Sequence, residues 1–382
     1  MKKITKVLAV VLAVTLLAAC FSGCGNSKAA SSDAFKLGGQ GPLTGPAALY
    51  GIAAMRGAEV AVKEINEKAG KTVFELKYED DEHDVSKAPN AYNALKDWGM
   101  QISLGAVTSK PCAAIGPFTA DDNLFALTPS ASADIVPETS SNMFQMCFSD
   151  NNQGAASADY MSKHMADAQI AIIYESDIDY SVGITDSFKA KAEEQGLTIV
   201  SESTYVANAV DFSVQIADAK NAGADVVFLP IYYNEAALIL AQAQTAEFAP
   251  VWFGVDGMDG LLDLEGFDTA LAEGLYMLTP FDANAASSAD FVKAYQAAYN
   301  ETPIQFAADA YDCVYAIYEA IQAKGLTPDM KTEDLTAALV DWFTGNSFTG
   351  ITGVDLTWNA EGFVSKEPMC VVVKDGAYAT AE

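Results

Sequence analysis

Residues Gly41–Gly51 read GPLTGPAALYG, and this stretch decides how the 382-residue chain folds. It joins a short apolar segment, Phe35–Leu37, to a series with apolar residues at helical spacing that ends at Gly70. Its prolines fix φ and remove backbone donors, whereas its glycines permit positive φ and close backbone approach. The stretch therefore predicts a strand-to-helix loop. That loop is either only a tight turn or a place where a ligand is held, with Tyr50 as the candidate contact.

The first 23 residues are typical of a bacterial lipoprotein signal peptide. Lysines precede an apolar run, residues 7–19, which is too short to span a bilayer. Cys20 follows Leu-Ala-Ala, the lipobox pattern, and Cys24 follows Phe-Ser-Gly and opens a polar tether, residues 24–34. Either cysteine is a candidate for lipidation, and the alternative is an ordinary cleaved signal. We expect an extracytoplasmic chain held to the outer face of the cell membrane by its lipid.

Length and charge limit the classes of function that remain. About 350 residues follow the tether, more than one hydrophobic core usually serves, which favours two lobes. The formal net charge is -29, and Arg56 is the only arginine. Nucleic acid is excluded as a partner because phosphate contacts need clustered lysine and arginine.

Neither the cysteines nor the acidic residues indicate a metal or a cofactor. The acidic run Asp80–Asp84 lacks the spaced glycine and terminal glutamate of a calcium loop, so it predicts a solvated turn. The mature chain keeps four widely separated cysteines, which we interpret as mostly buried small apolar residues without deciding whether any pair forms a disulfide. These are Cys112, Cys147, Cys313 and Cys370.

The rest of the chain alternates apolar strand segments with amphipathic helical segments, in two blocks. This alternation predicts right-handed crossovers and parallel sheets flanked by helices. In the second block, residues 175–183 are predicted as a loop. After residue 275 we predict three helices, a turn-rich segment over residues 349–362, and one strand over residues 369–373.

Distinctive side chains follow the ends of several predicted strands, the edge at which open α/β sheets bind ligands. Hydroxyls at residues 108–109 and 128–132 lie beside predicted helix N-termini, which suits an anionic group, although a simple N-cap is the alternative. In the second block the strand ends carry tyrosines, which are either packing residues or ligand contacts, and one aspartate that could instead bond its own turn. These residues are Tyr180, Tyr232, Tyr233 and Asp256.

Five stretches, in this order, resemble the leucine/isoleucine/valine-binding family of extracellular solute receptors. They are GPLTG at 41–45, TPSAS at 128–132, SDNNQG at 149–154, VFLPIYYNEAA at 227–237 and AYDCVYA at 310–316. The resemblance covers residues 35 to about 378 and implies a type I periplasmic-binding fold, an α/β architecture of two Rossmann-like lobes joined by a three-stranded hinge. The implied N-terminal lobe comprises residues 35–147 and 281–365, and the implied C-terminal lobe comprises residues 148–280 and 366–382.

The resemblance also implies an amino-acid site. By position, Ser109 and Ser132 would hold the ligand carboxylate, and the Ala131 carbonyl and Asp256 would hold the ammonium. The ligand side chain would lie among aromatic residues, namely Tyr50, Tyr180, Tyr232 and Phe306.

The chain departs from the family pattern at three places. Asp256 replaces a glutamate and Tyr50 replaces a tryptophan of the best-known members, so leucine, isoleucine or valine does not follow as the ligand. His83-Asp84 occupies the region of the first cysteine of the family's disulfide.

The leading hypothesis is a lipid-anchored, monomeric solute-binding protein of an ABC importer. It would capture an amino acid by hinge closure and deliver it to a membrane permease. The alternatives are a ligand-sensing receptor subunit with the same fold, or binding of a different small amide or carboxylate. A hydrolase is disfavoured because only His83 and His164 are present, and neither is expected beside a serine nucleophile at a strand end.

Overall fold

The computed structural model describes residues 33–381, so the predicted signal peptide, Cys20, Cys24 and most of the tether lie outside the described residues. Within the described range, no helix combines the length and the apolar character needed to cross a bilayer.

The first block forms a five-stranded parallel sheet with the strand order β2-β1-β3-β4-β5. Its strands are β1 (Phe35–Gly41), β2 (Phe74–Asp80), β3 (Ile102–Ala106), β4 (Ala126–Thr128) and β5 (Met143–Gln145). The helices between them are α1 (Ala48–Ala69), α2 (Ala88–Trp98), α3 (Ser109–Asp121) and α4 (Ile135–Glu138).

The second block contributes five parallel strands to a separate sheet. Its elements are α5 (Asp150–His164), β6 (Gln169–Glu175), α6 (Asp179–Gln195), β7 (Thr198–Tyr205), α7 (Ser213–Asn221), β8 (Val226–Leu229), α8 (Tyr233–Thr245), β9 (Val251–Gly254) and β10 (Tyr276–Thr279). Tyr180 therefore lies in the first turn of α6, and the prediction of a loop through residue 183 is wrong.

The last part of the chain returns to the first sheet and then to the second. Its elements are α9 (Ala289–Tyr299), α10 (Gln305–Lys324), α11 (Thr332–Gly345), β11 (Ser347–Phe348), β12 (Leu356–Thr357), β13 (Met369–Lys374) and β14 (Ala377–Thr380). Helices α9 and α10 pack on α1, whereas β13 and β14 extend the second sheet to the order β14-β13-β10-β9-β8-β6-β7. We call the first sheet with α1–α4 and α9–α11 the first lobe, and the second sheet with α5–α8 the second lobe.

This architecture confirms the predicted α/β fold of parallel sheets flanked by helices. Strands β10 and β14 were not predicted from the sequence. Strand β10 has only four residues. Strand β14 follows Asp375-Gly376, a dipeptide typical of two-residue hairpin turns, and both residues have positive φ after β13. The four cysteines of the described chain are buried, as predicted, and they are free, which the sequence left undecided.

The helical spacing of apolar residues after Tyr50 predicts an apolar face of α1 made of Ile52, Met55, Ala58, Val62 and Ile65. The packing of α1 corrects this face, because Ile52, Met55 and Val62 are only partly buried. The buried face consists mainly of small residues, which let α1 and α10 approach closely. They are Ala54, Gly57, Ala58 and Ala61, with Ile65 beyond them.

A buried ion pair fixes the last crossing between the lobes. Lys366, between β12 and β13, donates from Nζ to Asp309 Oδ1 and to Thr352 Oγ1, each at 2.6 Å. Asp312 also accepts from the Thr352 hydroxyl at 2.6 Å and from the backbone N–H groups of Ile351 and Thr352. Part of the turn-rich segment over residues 349–362 therefore binds a carboxylate of α10, in addition to reversing the direction of the chain.

We expect Gly57→Ala to destabilise the fold by about 1–3 kcal/mol, because it overpacks the contact between α1 and α10. A Cβ at residue 57 would lie 1.9 Å from the Ala307 carbonyl oxygen. Urea unfolding measures the change. Gly345→Ala is the matched control, since a Cβ there meets nothing within 4 Å. Equal losses in the two variants would contradict the close packing of these helices.

Candidate functional site

Both lobes contribute residues to one small cavity of about 10 Å³, which is room for about one water molecule. Most of its lining comes from the ends of strands or from the first turns of helices. Six of the eight predicted site residues line it: Tyr50, Ser109, Tyr180, Tyr232, Asp256 and Phe306. Ala131 and Ser132 lie beside Ser109 on the loop after β4.

Asp256 lies at the end of β9 and is 4% exposed. Its Oδ1 accepts a hydrogen bond from the Tyr180 hydroxyl at 2.6 Å, and its backbone N–H donates to Gln153 Oε1 at 3.3 Å. Burial raises the pKa of Asp256 to about 7, although the Tyr180 hydrogen bond favours the ionised form. The carboxylate thus titrates near neutrality and lacks a cationic partner among the described residues.

Tyr50 is at the centre of the aromatic part of the site. Its ring lies 4.3 Å from Phe306, 5.3 Å from Tyr232 and 4.9 Å from Tyr233, measured between centroids. Its hydroxyl donates to the Gly257 carbonyl in the second lobe. The stretch Gly41–Gly51 is therefore more than a tight turn, because its Tyr50 side chain is buried and bonds to the other lobe.

The two predicted carboxylate-binding serines lie on adjoining loops of the first lobe. The Ser109 hydroxyl accepts from Ala133 N–H at 3.1 Å, which holds the loop containing Ala131 and Ser132 against the start of α3. Thr108 occupies the N-cap position of α3 but makes no capping hydrogen bond, so the alternative of a simple N-cap is wrong there. The first backbone N–H groups of α3 consequently have no side-chain cap, an arrangement that favours an anion.

Asp150 is the buried acid that the sequence analysis missed. It is 1% exposed, and neither of its carboxylate oxygens has a hydrogen-bond partner among the described residues. Its backbone N–H donates to the Ser132 carbonyl at 3.0 Å, and the Ser132 hydroxyl is also buried and unpartnered within residues 33–381. Burial raises the pKa of Asp150 well above its ordinary value. The residue lies within the SDNNQG stretch. The sequence predicts a turn before a helix there, and Ser149 does cap α5, so nothing in the sequence indicates that Asp150 is buried.

The acidic run after β2 is not simply a solvated turn. Asp81 is fully buried, and Asp80 accepts from Leu43 N–H at 2.9 Å and from the Thr44 hydroxyl at 2.7 Å. Asp80 therefore holds the loop that precedes Tyr50.

His83, in the same run, also reaches the cleft. Its Nδ1 lies 2.8 Å from the Thr108 hydroxyl, and its ring meets Tyr232 edge-on at 5.7 Å. Burial and the nearby Lys110 ammonium lower the pKa of His83. The hydroxyl beside His83 belongs to a threonine, so this contact does not contradict the expectation that neither histidine lies beside a serine nucleophile. The neighbouring Ser109 is bonded to a backbone N–H and not to this ring.

A family model described as periplasmic binding protein matches residues 34–372. The chain belongs to this periplasmic binding protein family. It is similar to Leu/Ile/Val-binding protein homolog 3 of Brucella melitensis, with 30% identity over 294 residues, which are 75% of this chain and 78% of that protein.

Solved structures of periplasmic binding proteins share the fold. The branched-chain amino acid transporter substrate binding protein LivJ of Streptococcus pneumoniae, in complex with isoleucine, matches with a TM-score of 0.82 and 27% identity, over 91% of this chain and 99% of that one. A solute binding protein from R. palustris in complex with benzoate matches with a TM-score of 0.80 and 22% identity, over 91% and 95% of the two chains. The second likeness shows the fold alone.

The buried acids of this periplasmic binding protein give its stability a pH dependence of definite sign. Burial raises the pKa of Asp256, Asp259 and Glu175 to about 7 and that of Asp309 to about 6. Between the pKa of an unfolded carboxyl group, about 4, and these values, the folded chain binds more protons than the unfolded chain. The resulting stabilisation is present at acidic pH and is lost as the pH rises through about 7.

The lowered pKa of His83 acts in the opposite direction below about pH 6.5, but the buried carboxyl groups outnumber it. We therefore expect the unliganded protein to become more stable as the pH falls from 7.5 to 5.5. Each carboxyl group that takes up a proton contributes about 1.4 kcal/mol per pH unit below its folded pKa. Urea unfolding across this range measures the slope, and Asp256→Asn should reduce it. A slope of opposite sign would contradict the burial of these acids in the folded chain.

Proposed function

We propose that the protein captures an apolar or small α-amino acid between its lobes by hinge closure, as the solute-binding component of an amino-acid ABC importer. The observation that supports this most directly is the pairing of opposite chemistries in one cavity. Uncapped N–H groups and hydroxyls of the first lobe line it together with the buried Asp256 carboxylate of the second lobe. A second buried carboxylate, Asp150, lies outside this lining, next to Ser132. An α-amino acid zwitterion has the complementary pair of charges.

The carboxylate of the ligand would be held by Ser109, Ser132 and the N-terminus of α3. The free N–H groups of a helix N-terminus and its dipole both favour negative charge. The Ser132 hydroxyl is free to donate within the described chain, since it has no partner there.

The ammonium would be held by Asp256, Asp150 and the Ala131 carbonyl. Burying two carboxylates near one another is costly unless a cation accompanies them, and the ligand supplies that cation. Among the described residues, Ala131 O already accepts from Gln145 Nε2 at 2.7 Å and retains a second lone pair. An anionic ligand without an ammonium, such as a benzoate, would leave both acids unpaired and is therefore disfavoured.

The ligand side chain would pack among Tyr50, Tyr180, Tyr232 and Phe306. In the described arrangement the cavity between these side chains is only about 10 Å³, so a ligand would enter only as the lobes separate. The Tyr50 hydroxyl, bonded to Gly257 O, limits the space at this end.

The cellular setting is part of the same proposal. A lipid on Cys20 or Cys24 would anchor the protein, as a monomer, to the outer face of the membrane beside its permease. Its lobes would comprise residues 35–147 with 281–365 and residues 148–280 with 366–382. A ligand-sensing receptor subunit is the second candidate. Loss of amino-acid uptake on deletion favours transport over sensing.

A panel of α-amino acids, short peptides, amides, benzoates, polyamines and sugars tests the ligand class by thermal unfolding. A ligand at about 100 times its dissociation constant should stabilise the protein by about 2.7 kcal/mol. We expect stabilisation by an apolar or small α-amino acid. Stabilisation only by sugars, polyamines or benzoates would exclude this function.

Substitutions at the two charged ends test the site. We expect Asp256→Asn and Ser109→Ala each to weaken binding of the stabilising amino acid by roughly 1–3 kcal/mol, because each removes one of the groups that hold a charged end of the ligand. Isothermal titration calorimetry measures the loss, and Asp97→Asn, an exposed acid on α2, is the control. Unchanged affinity in both site variants would remove these residues from the binding site.

A further inference from the structure

The N-terminus of α1 lacks a cap from its own sequence. Ala47 occupies the N-cap position and has no side chain that accepts a hydrogen bond. The first N–H groups of a helix have no intrahelical partner and need one from elsewhere. Leu49 N–H finds its partner in the other lobe, because it donates to the Tyr233 hydroxyl at 3.4 Å.

The same tyrosine hydroxyl bonds a second backbone group of the first lobe. It donates to the Pro46 carbonyl oxygen at 2.5 Å. Asn234, the next residue of α8, also donates its side-chain amide to this carbonyl. Two side chains at the start of α8 therefore converge on one exposed carbonyl in the loop before α1.

A further hydrogen bond ties this contact to the aromatic site. Tyr233 N–H donates to the Tyr50 hydroxyl at 3.3 Å, and the two rings meet nearly perpendicular with centroids 4.9 Å apart. Tyr50 in turn donates to Gly257 O. All these hydrogen bonds join the first lobe to the second, so separation of the lobes breaks them together.

We propose that Tyr233 and Asn234 form a latch that caps α1 across the cleft and stabilises the closed arrangement of the lobes. The inference rests on the hinge closure of the proposed function. The Tyr233 hydroxyl and the Asn234 amide bond backbone groups of Pro46 and Leu49, and neither residue lines the cavity of the proposed site. The latch therefore strengthens binding of every ligand by the same factor and does not choose among them.

Tyr233→Phe tests the latch because it keeps the ring that packs on Tyr50 and removes only the hydroxyl. Each intramolecular hydrogen bond contributes roughly 2- to 12-fold to an equilibrium constant. We expect Tyr233→Phe and Asn234→Ala each to lower the ratio of closed to open molecules about 3- to 10-fold. The rate of ligand dissociation should rise by a similar factor. The order of preference within the amino-acid panel should not change.

Single-molecule energy transfer measures the ratio, with and without each panel amino acid. Dyes are coupled to genetically encoded ketone side chains at Lys63 and Val214, which are exposed on the two lobes. Tyr299→Phe is the matched control, since it removes a hydroxyl that bonds Glu59 at 2.7 Å within the first lobe. We expect this control to leave the ratio unchanged.

The latch is overturned if the two variants show the wild-type distribution, or if wild-type molecules never adopt the short distance. A change in ligand preference instead of a uniform loss also overturns it, because Tyr233 would then be a ligand contact. Failure of the proposed function has a different signature. No panel amino acid would stabilise the protein, while Tyr233→Phe would still lower the closed fraction without ligand.

Discussion

The burial of Asp256 between the lobes is the constraint on which the site depends. A carboxylate taken out of water and left without a cation is unfavourable, and here its partners are a tyrosine hydroxyl at 2.6 Å and a backbone network. A second buried acid, Asp150, lies nearby and adds repulsion. In the proposed function the ligand offsets this local cost, because a buried carboxylate without a cation is complementary to an ammonium group.

The fold brings these groups together by making every parallel strand of both sheets end at the cleft. The chain passes between the lobes three times, after β5, after β10 and between β12 and β13. The third passage carries Lys366, buried against Asp309 and joined to Asp312 through Thr352. A buried ion pair adds little net stability, because desolvation of the charges offsets their attraction, but its hydrogen bonds allow only one geometry. The pair therefore defines where the hinge segment lies relative to α10. The charge of Asp309 also acts on Asp256, which links the hinge to the ligand site electrostatically.

The sequence was sufficient for the architecture because alternating strands and helices permit few topologies, and because strand-end residues must meet at one sheet edge. It was insufficient wherever a contact depends on partners distant in the chain. The buried face of α1 was misassigned because alanine and glycine carry little hydropathy signal, although close approach to α10 requires them. Asp150 and His83 were overlooked because a helix start and a polar turn each explained them locally. Only the tertiary structure shows that their side chains are buried beside the cleft.

Contacts between residues distant in the chain also contribute to closure of the lobes. In the proposed function, binding of a zwitterion to Ser109 and Asp256 would draw the lobes together only by the difference in its affinity for the closed and open states. The Pro46 carbonyl, the Leu49 N–H and the Tyr50 hydroxyl all find partners across the cleft, so part of the closing free energy belongs to the protein and is independent of the ligand. A small amino acid has little apolar surface to bury and contributes correspondingly little hydrophobic free energy. For such a ligand, contacts between the lobes at the rim contribute a larger share of the closure than they would for leucine.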